Sequence, residues 1–228
     1  MDIIEAAEKE DQEMVECWEN ICRPGGFEIT ARAAELSGWQ PGDRVLDLGC
    51  GTGASLRYLE EHMGLFMQGV EADASLCDAV KILYGDASTL PAEEESVDGI
   101  LMECSFSRME QPEQVLKECI RVLKPGGCLA VSDMIACGEE IIPEDFPHDA
   151  GTRAFLGRLE YAETVAARIT RAGFRITAEE NHTNALREMW GQAILDGGRE
   201  AVCGELGCSW ETIRRAKCGY YLWVCEKI

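Results

Sequence analysis

The chain lacks the features that mark membrane and exported proteins. No run of about 18 apolar residues occurs among its 228 positions, which excludes a membrane-spanning helix. The first fourteen residues are acidic and lack the basic-then-apolar order of a secretion signal. No internal repeat or low-complexity tract interrupts the sequence. We therefore expect one cytoplasmic globular domain, since this length suffices for a sizeable core.

Basic residues are scarce. Lysine and arginine total 21 against 42 aspartate and glutamate residues, and the formal net charge is −21. A field of this sign repels phosphate backbones, so a nucleic-acid partner is not expected. Hydrophobic residues make up 46% of the chain, which is typical of a soluble globular enzyme.

Cysteine is abundant, with 12 residues scattered along the chain. Without an export signal, reduced thiols are expected rather than a disulfide framework. Cys203, Cys208, Cys218 and Cys225 are separated by four, nine and six residues, and none of these gaps is the two-residue gap of common zinc sites. Scattered thiols are favoured and no metal site is predicted, but a metal- or metalloid-handling role of these thiols stays the alternative function.

Strands and helices alternate from Arg44 onward, which predicts a parallel sheet with helices on both faces. The predicted strands cover 45–48, 65–71, 82–84, 97–103, 128–133, 174–178 and 220–225. The predicted helices cover 3–20, 28–37, 56–62, 74–81, 111–123, 161–172, 186–195 and 210–216.

The strongest motif is VLDLGCGTGA over 45–54, in which a buried strand enters a glycine loop and then a helix. Glycines there permit a tight turn and let a ligand lie against bare backbone. Asp47 would repel a pyrophosphate but suits an amine or a sulfonium. Glu71 ends the next strand, where a carboxylate can accept both hydroxyls of a ribose. The pattern therefore favours a cationic nucleoside. Two alternatives are weaker: the loop is a turn that only packs a helix on the sheet, or the protein is an NAD-dependent oxidoreductase.

Four segments together resemble class I S-adenosylmethionine-dependent methyltransferases of the ubiquinone and menaquinone biosynthesis type. They are VLDLGCGTG, GVEAD, YGDASTLP and the stretch from SVDGILMEC to LAVSD. The resemblance is strong over about 40–135, and RPGG and 180–188 extend it to an uncharacterised bacterial subgroup.

The resemblance implies a three-layer α/β/α Rossmann-like sandwich. Its sheet would have seven mostly parallel strands with an antiparallel last strand. It implies one methyltransferase domain over 1–228, with a helical lid over 1–40, a cofactor-binding core over 41–135 and a substrate-side half over 136–228. Insertions over 137–158 and 183–218 would shape the acceptor pocket. S-adenosylmethionine would be the cofactor, S-adenosylhomocysteine the product, and a small molecule of unknown identity the acceptor.

The resemblance also assigns roles to residues that follow the first and fourth strands. The methionine part of the cofactor would be held by Asp47 and the backbone of Gly49, Cys50 and Gly51. Glu103 and Cys104 would face the methionine part and the transferred methyl group. For Cys50 alone, a small packing residue is favoured over a redox role.

The nucleoside would be held by residues that follow the second and third strands. Glu71 would bind the ribose hydroxyls, and Ala72 would lie beside the adenine. Asp86 would accept the exocyclic amine of the adenine, with the amide of Ala87 nearby. Glu71 replaces the commoner aspartate, which is a mild departure.

The segment RPGG over 23–26 follows the first predicted helix. In related enzymes such a helix covers the cofactor, so Gly25 and Gly26 would approach it and Arg23 would meet its carboxylate. An ordinary helix-breaking turn is an equally good interpretation.

The catalytic residue is not defined by the sequence, because methyl transfer needs a base only when the acceptor must lose a proton. His182 is a weak candidate, since histidine titrates near neutral pH. A solvated histidine in a polar loop is favoured over that role. Met189, Trp190 and Trp210 would either line the acceptor pocket or pack a helical insert.

Overall fold

A computed structural model of the chain describes residues 23–77, 81–138 and 158–228. The predicted helix over 3–20 and most of the predicted insertion over 137–158 lie outside the described residues. The division of the chain at 40 and 135 therefore stays a prediction.

The described residues contain one seven-stranded sheet of order β3-β2-β1-β4-β5-β7-β6. Only β7 runs antiparallel to its neighbours β5 and β6. The predicted sheet is thus confirmed. The strands are β1 (Arg44–Leu48), β2 (Phe66–Glu71), β3 (Ile82–Tyr84), β4 (Val97–Glu103), β5 (Leu123–Ile135), β6 (Phe174–Asn181) and β7 (Gly219–Lys227).

In the part of the chain that the structure describes, six α-helices cover both faces of the sheet. They are α1 (Gly26–Ser37), α2 (Ala54–Met63), α3 (Pro112–Val122), α4 (Ala162–Arg171), α5 (Thr183–Leu206) and α6 (Trp210–Ala216). One core cluster holds side chains of α1, α2, α5 and α6, and a second holds those of α3 and α4. The two clusters lie on opposite faces because side chains alternate along the central strands. No described helix has the length and apolarity needed to span a bilayer.

Three predicted elements differ from the structure. Of the helix expected over 74–81, the described residues form a single 3₁₀ turn, Ala74–Leu76, and the Asp73 side chain caps this turn by accepting the Ser75 amide. The helix expected over 186–195 is longer, since α5 continues to Leu206 through a kink at Gly198. The third, β5, starts at Leu123 rather than Cys128, with a register shift beside the KPGG segment.

Helix α1 is anchored to the sheet by Trp39, which follows its C-terminal cap Gly38. The Trp39 indole is buried and lies directly over Gly99 of β4. A Cβ at position 99 would overlap the indole nitrogen, so the missing side chain makes room for the tryptophan. This contact fixes the end of α1 relative to β4.

We predict that Gly99→Ala destabilises the protein by about 1–3 kcal/mol, because the added methyl group overpacks the site of Trp39. Gly191→Ala is the matched control: position 191 lies within α5 with open space around it, so alanine should be neutral or stabilising. Urea unfolding of both variants measures the difference. Equal midpoints would contradict the anchoring role.

Candidate active site

Three carboxylates lie near the carboxyl ends of adjacent parallel strands. Asp47 is in β1, Glu71 ends β2 and Glu103 ends β4. Asp47 pairs in register with Gly69 of β2 and Leu101 of β4. The sheet order therefore brings all three acids to one edge, which is where ligands bind in open α/β sheets.

The glycine loop is shaped by close packing against the segment that follows β4. Gly49 has a φ of 73°, and a Cβ there would lie 2.6 Å from the Cβ of Ser105. The Ser105 hydroxyl donates to the carbonyl of Leu48 at 2.7 Å. Gly51 also has a positive φ, but the space beside its Cα is open. The loop is thus packed at Gly49 and accessible at Gly51.

Glu71 holds the glycine loop through its side chain. Its Oε2 accepts the amide of Gly51 at 2.8 Å, and its Oε1 accepts the amides of Ala72 at 2.9 Å and Asp73 at 3.0 Å. An aspartate is one methylene shorter and would reach Gly51 less easily. The glutamate therefore fixes the relative position of the loop and the end of β2.

Glu103 joins helices α1 and α2 at the same edge. Its Oε1 accepts the hydroxyl of Thr30 from α1 at 2.9 Å, and its Oε2 accepts the hydroxyl of Ser55 from α2. Both carboxylate oxygens are thus held in place. The sequence placed Glu103 at this edge but did not indicate that it ties two helices together.

Asp47 is almost withdrawn from water, with 3% of its surface exposed. Burial raises the pKa of its carboxyl group to about 8, and repulsion by Glu103 adds to this. Arg23 opposes the rise, and Glu71 reinforces it more weakly. The carboxylate form of Asp47 would be favoured by a cation brought to this edge.

Arg23 extends from the segment before α1 toward this acid. One terminal guanidinium nitrogen, Nη1, is buried and has no hydrogen-bond partner among the described residues. The charge of Arg23 lowers the pKa of both Asp47 and Cys104, so it lies near both. A buried donor without a partner is costly unless a ligand supplies an acceptor.

Gly25 and Gly26 both adopt positive φ angles at the start of α1. A Cβ at Gly25 would contact Ile29 and lie 3.4 Å from Ala185 of α5, whereas nothing lies near Gly26. The glycines thus let the chain turn beside α5, and they place Arg23 at the edge of the site.

The residues predicted to hold the adenine follow the ends of β2 and β3. Ala72 and Asp86 are exposed, and Ala87 is half-buried. Asp86 Oδ1 accepts the amide of Ser88 at 2.7 Å. The backbone joins this turn to β2, because the amide of Gly85 donates to the carbonyl of Glu71 at 2.9 Å.

Cys50 packs inward from the loop. Its sulfur fills the space beside Gly69, where a Cβ would overlap it. Burial raises the pKa of its thiol, and the nearby Asp47 and Glu71 add to the effect. A protonated, half-buried thiol agrees with the interpretation of Cys50 as a small packing residue.

Cys104 follows β4 in a left-handed conformation, with φ 53°. Its sulfur lies 3.3 Å from the hydroxyl of Tyr220, which donates to the hydroxyl of Ser132 at 2.9 Å. Burial raises the pKa of both Cys104 and Tyr220. Strained backbone of this kind is frequent at functional sites. This neutral network ties the end of β4 to β5 and β7.

His182 lies at the carboxyl end of β6, where it precedes α5. Its Nε2 is 3.1 Å from Glu180, which also pairs with Arg32 of α1 at 2.7 Å. Three strand spacings separate β6 from β4 in the sheet order, or about 14 Å. His182 therefore lies at the same carboxyl edge of the sheet as the three acids, but not beside them.

The four cysteines considered for a metal site and the apolar residues of the insertion pack against the core. Within 23–77, 81–138 and 158–228, no group of three or more His, Cys, Asp or Glu residues is arranged to hold a metal ion. Cys218 and Cys225 are buried, and Cys203 and Cys208 pack against the core. Three further side chains of the insertion, Met189, Trp190 and Trp210, also pack against that core.

Comparison with known proteins bears on the segment that contains the acids. A model described as a methyltransferase domain matches residues 46–131. The match agrees with the resemblance to class I methyltransferases. The predicted Rossmann-like fold is confirmed by solved structures that share it.

Individual relatives of the methyltransferase domain differ in length and in activity. Methyltransferase GfsG of Streptomyces halstedii is 31% identical over 126 residues, which cover 50% of this chain and 45% of that protein. Sarcosine/dimethylglycine N-methyltransferase of Aphanothece halophytica is 25% identical over 208 residues, covering 83% and 73%. The chain thus spans less than half of the length of GfsG.

Solved structures share the fold of the methyltransferase domain. Phosphoethanolamine N-methyltransferase 2 of Haemonchus contortus, in complex with phosphomonomethylethanolamine and S-adenosylhomocysteine, superposes with a TM-score of 0.70 at 20% identity over 90% of this chain and 53% of that chain. The [4+2]-cyclase SpnF superposes with a TM-score of 0.68 at 22% identity over 89% and 80%. The fold therefore accommodates more than one reaction.

The residues that hydrogen-bond to the acid of β4 were not predicted from the sequence. Thr30 lies on the buried face of α1 beside Ile29 and Ala33, so a polar residue within an apolar stripe was the available signal. Ser55 and Ser132 carried no such signal. Tyr220 stood out only as one of three aromatic residues in the last strand.

We predict that Asp47→Asn stabilises the ligand-free protein, and more so as the pH rises. The folded state binds the proton of Asp47 more tightly than the unfolded state does, so ionisation costs stability from about pH 4 to about pH 8. The gain of the asparagine variant should grow by at most about 1.4 kcal/mol per pH unit in this window. Thermal unfolding at several pH values between about 5 and about 8 measures it.

Glu61→Gln, at an exposed position of α2, serves as the control for the loss of one acidic side chain. A profile for Asp47→Asn no steeper than that of Glu61→Gln would show that Asp47 is not desolvated in the folded state.

Proposed function

We propose that the chain is an S-adenosylmethionine-dependent methyltransferase that acts on a small molecule. One observation carries the proposal: a buried acid, Asp47, and a buried guanidinium nitrogen of Arg23 without a partner occur at the same edge. The acid needs a cation and the guanidinium needs an anion. The amino acid part of S-adenosylmethionine offers both an ammonium and a carboxylate, so the residues present fit this cofactor.

The cofactor would be held from three sides. Asp47 would bind its ammonium and Arg23 its carboxylate, while the open space at Gly51 leaves room against the loop backbone. Glu71 would accept the ribose hydroxyls. Since its oxygens also accept three backbone amides, this carboxylate would serve the loop and the ligand together.

The adenine would lie over the turn after β3. Ala72 and Ala87 offer small surfaces beside the ring, and Asp86 offers a carboxylate oxygen to the exocyclic amine. One Asp86 oxygen already accepts the Ser88 amide, which orients the second.

The cofactor, when bound, supplies an electrophilic methyl group on a sulfonium. The protein's task is then to orient and desolvate the two reactants. Cys104 would lie beside the reacting atoms, and the buried hydroxyls of Tyr220 and Ser132 hold its thiol in position. Burial raises the pKa of both the thiol and the phenol, so neither would deprotonate the acceptor.

The acceptor would be a small molecule rather than a nucleic acid, because 42 acidic residues face 21 basic ones. The acceptors named for the Aphanothece halophytica relative, sarcosine and dimethylglycine, are amines, and an amine suits a site of this charge.

We predict micromolar binding of S-adenosylhomocysteine and no saturable binding of NADH, both measured by calorimetry. Glu71→Ala should weaken the binding by at least about tenfold, because a hydrogen bond to a charged group is worth about 1.5–3 kcal/mol. Glu71→Asp should retain most of the affinity, and Glu61→Ala should retain all of it. Absence of S-adenosylhomocysteine binding by the wild type would refute the proposal.

Binding alone does not establish methyl transfer, since SpnF shares the fold as a [4+2]-cyclase. Incubation with metabolite extracts and a methyl-labelled donor, followed by mass spectrometry, tests the reaction itself. We expect a labelled product that depends on the enzyme and disappears with Asp47→Asn. Tight cofactor binding without any labelled product would support a different reaction on the same scaffold.

A further inference from the structure

A column of stacked side chains joins the two helices that flank the cofactor site. The guanidinium carbon of Arg23 lies 4.8 Å from the ring centre of Phe27. Phe27 stacks on Tyr58 with centroids 4.3 Å apart and planes 7° apart, and Tyr58 stacks on His62 at 4.4 Å and 22°. We call Phe27, Tyr58 and His62 the aromatic column.

The column is fixed at its far end. The carbonyl of Tyr58 can only accept a hydrogen bond, so the Nδ1 of His62, 3.0 Å away, must carry the proton and donate. This bond sets the plane of the imidazole, on which Tyr58 rests. Tyr58 and His62 belong to α2, the helix that continues from the glycine loop, so the column is tied to the loop that meets the cofactor.

The near end of the column belongs to α1. Phe27 is 39% exposed, so burial of apolar surface does not account for a phenylalanine at this position. Its ring instead has two partners, Tyr58 on one side and the Arg23 guanidinium on the other. A cation within about 6 Å of an aromatic ring is attracted to its face.

Among the described residues, no other contact holds the guanidinium of Arg23 in place. Its Nη1 is buried without a hydrogen bond among the described residues, yet its charge acts on Asp47 and Cys104. An arginine side chain has many rotamers, and a stacked face restricts them at little cost in hydrogen-bonding capacity. The edge of the guanidinium stays available while its face is occupied.

We propose that the aromatic column positions Arg23 and thereby sets the preference of the site for ligands that carry the carboxylate of the cofactor. This inference rests on the proposed function, in which Arg23 meets that carboxylate. The column residues are positioning residues, since they act through Arg23. The four motif segments alone do not show this dependence: α1 must be docked on α2 before the site can recognise the carboxylate.

Two ligands separate this role from a general structural one. S-adenosylhomocysteine carries the amino acid part, whereas 5′-methylthioadenosine has the same thioether nucleoside without it. Loss of the Arg23 position should weaken the first ligand and spare the second. A variant that merely loosens the fold should weaken both alike.

We predict that Phe27→Leu weakens S-adenosylhomocysteine binding by about five- to tenfold, which a charge-assisted hydrogen bond can account for. The affinity for 5′-methylthioadenosine should change less than about twofold. Tyr58→Leu should act in the same way, and Tyr58→Phe, which keeps the ring, should restore the wild-type ratio. Phe66→Leu is the matched control, because Phe66 is 66% exposed and lies at the start of β2, the opposite edge of the sheet.

A double-mutant cycle tests whether the effect passes through Arg23. In the Arg23→Ala background, Phe27→Leu should have no further effect on the affinity ratio of the two ligands. Additive losses in the cycle would overturn the inference, as would equal weakening of both ligands by Phe27→Leu. If the wild type binds neither ligand, the proposed function fails. If it binds both without the predicted change in ratio, only the positioning role fails.

Discussion

The concentration of negative charge at one edge of the sheet is the constraint around which the site is organised. Asp47 is nearly withdrawn from water beside Glu103 and Glu71, so its ionised form is disfavoured in the ligand-free protein. The described residues offer Arg23 as a nearby counter-charge, and its buried nitrogen lacks a partner of its own. At this edge the acid lacks a bound cation and the guanidinium nitrogen lacks an anionic acceptor. A zwitterionic amino acid group would supply both charges.

The docking of α1 depends on the same acids. Thr30 reaches Glu103 at the end of β4, and Arg32 reaches Glu180 near the end of β6. Trp39 then fills the space over Gly99, and Phe27 stacks on Tyr58. The helix is thus held by polar contacts at the carboxyl edge and by apolar contacts elsewhere. A change at the acidic edge alters both the ligand site and the helix above it.

Sequence patterns predicted the sheet well because each central strand is a short apolar run between turn residues. The acids Asp47, Glu71 and Glu103 were placed correctly because strand ends are marked by the change from apolar to polar residues. What side chains do across the sheet was not accessible. The bonds of Glu103 to Thr30 and Ser55 join residues 73 and 48 positions apart, and no local pattern encodes such contacts. Helix lengths were predicted less well, as for the 3₁₀ turn after Asp73 and for α5.

The two halves of the site differ in their electrostatics, and this difference bears on the chemistry. The edge with Asp47, Glu71 and Glu103 is charged, whereas the buried network of Cys104, Tyr220 and Ser132 is neutral, because burial raises the pKa of both the thiol and the phenol. Groups that keep their protons cannot remove a proton from an acceptor. An acceptor that is already nucleophilic needs no such base. One that must lose a proton requires a base from another element, such as the end of β6 where His182 meets Glu180.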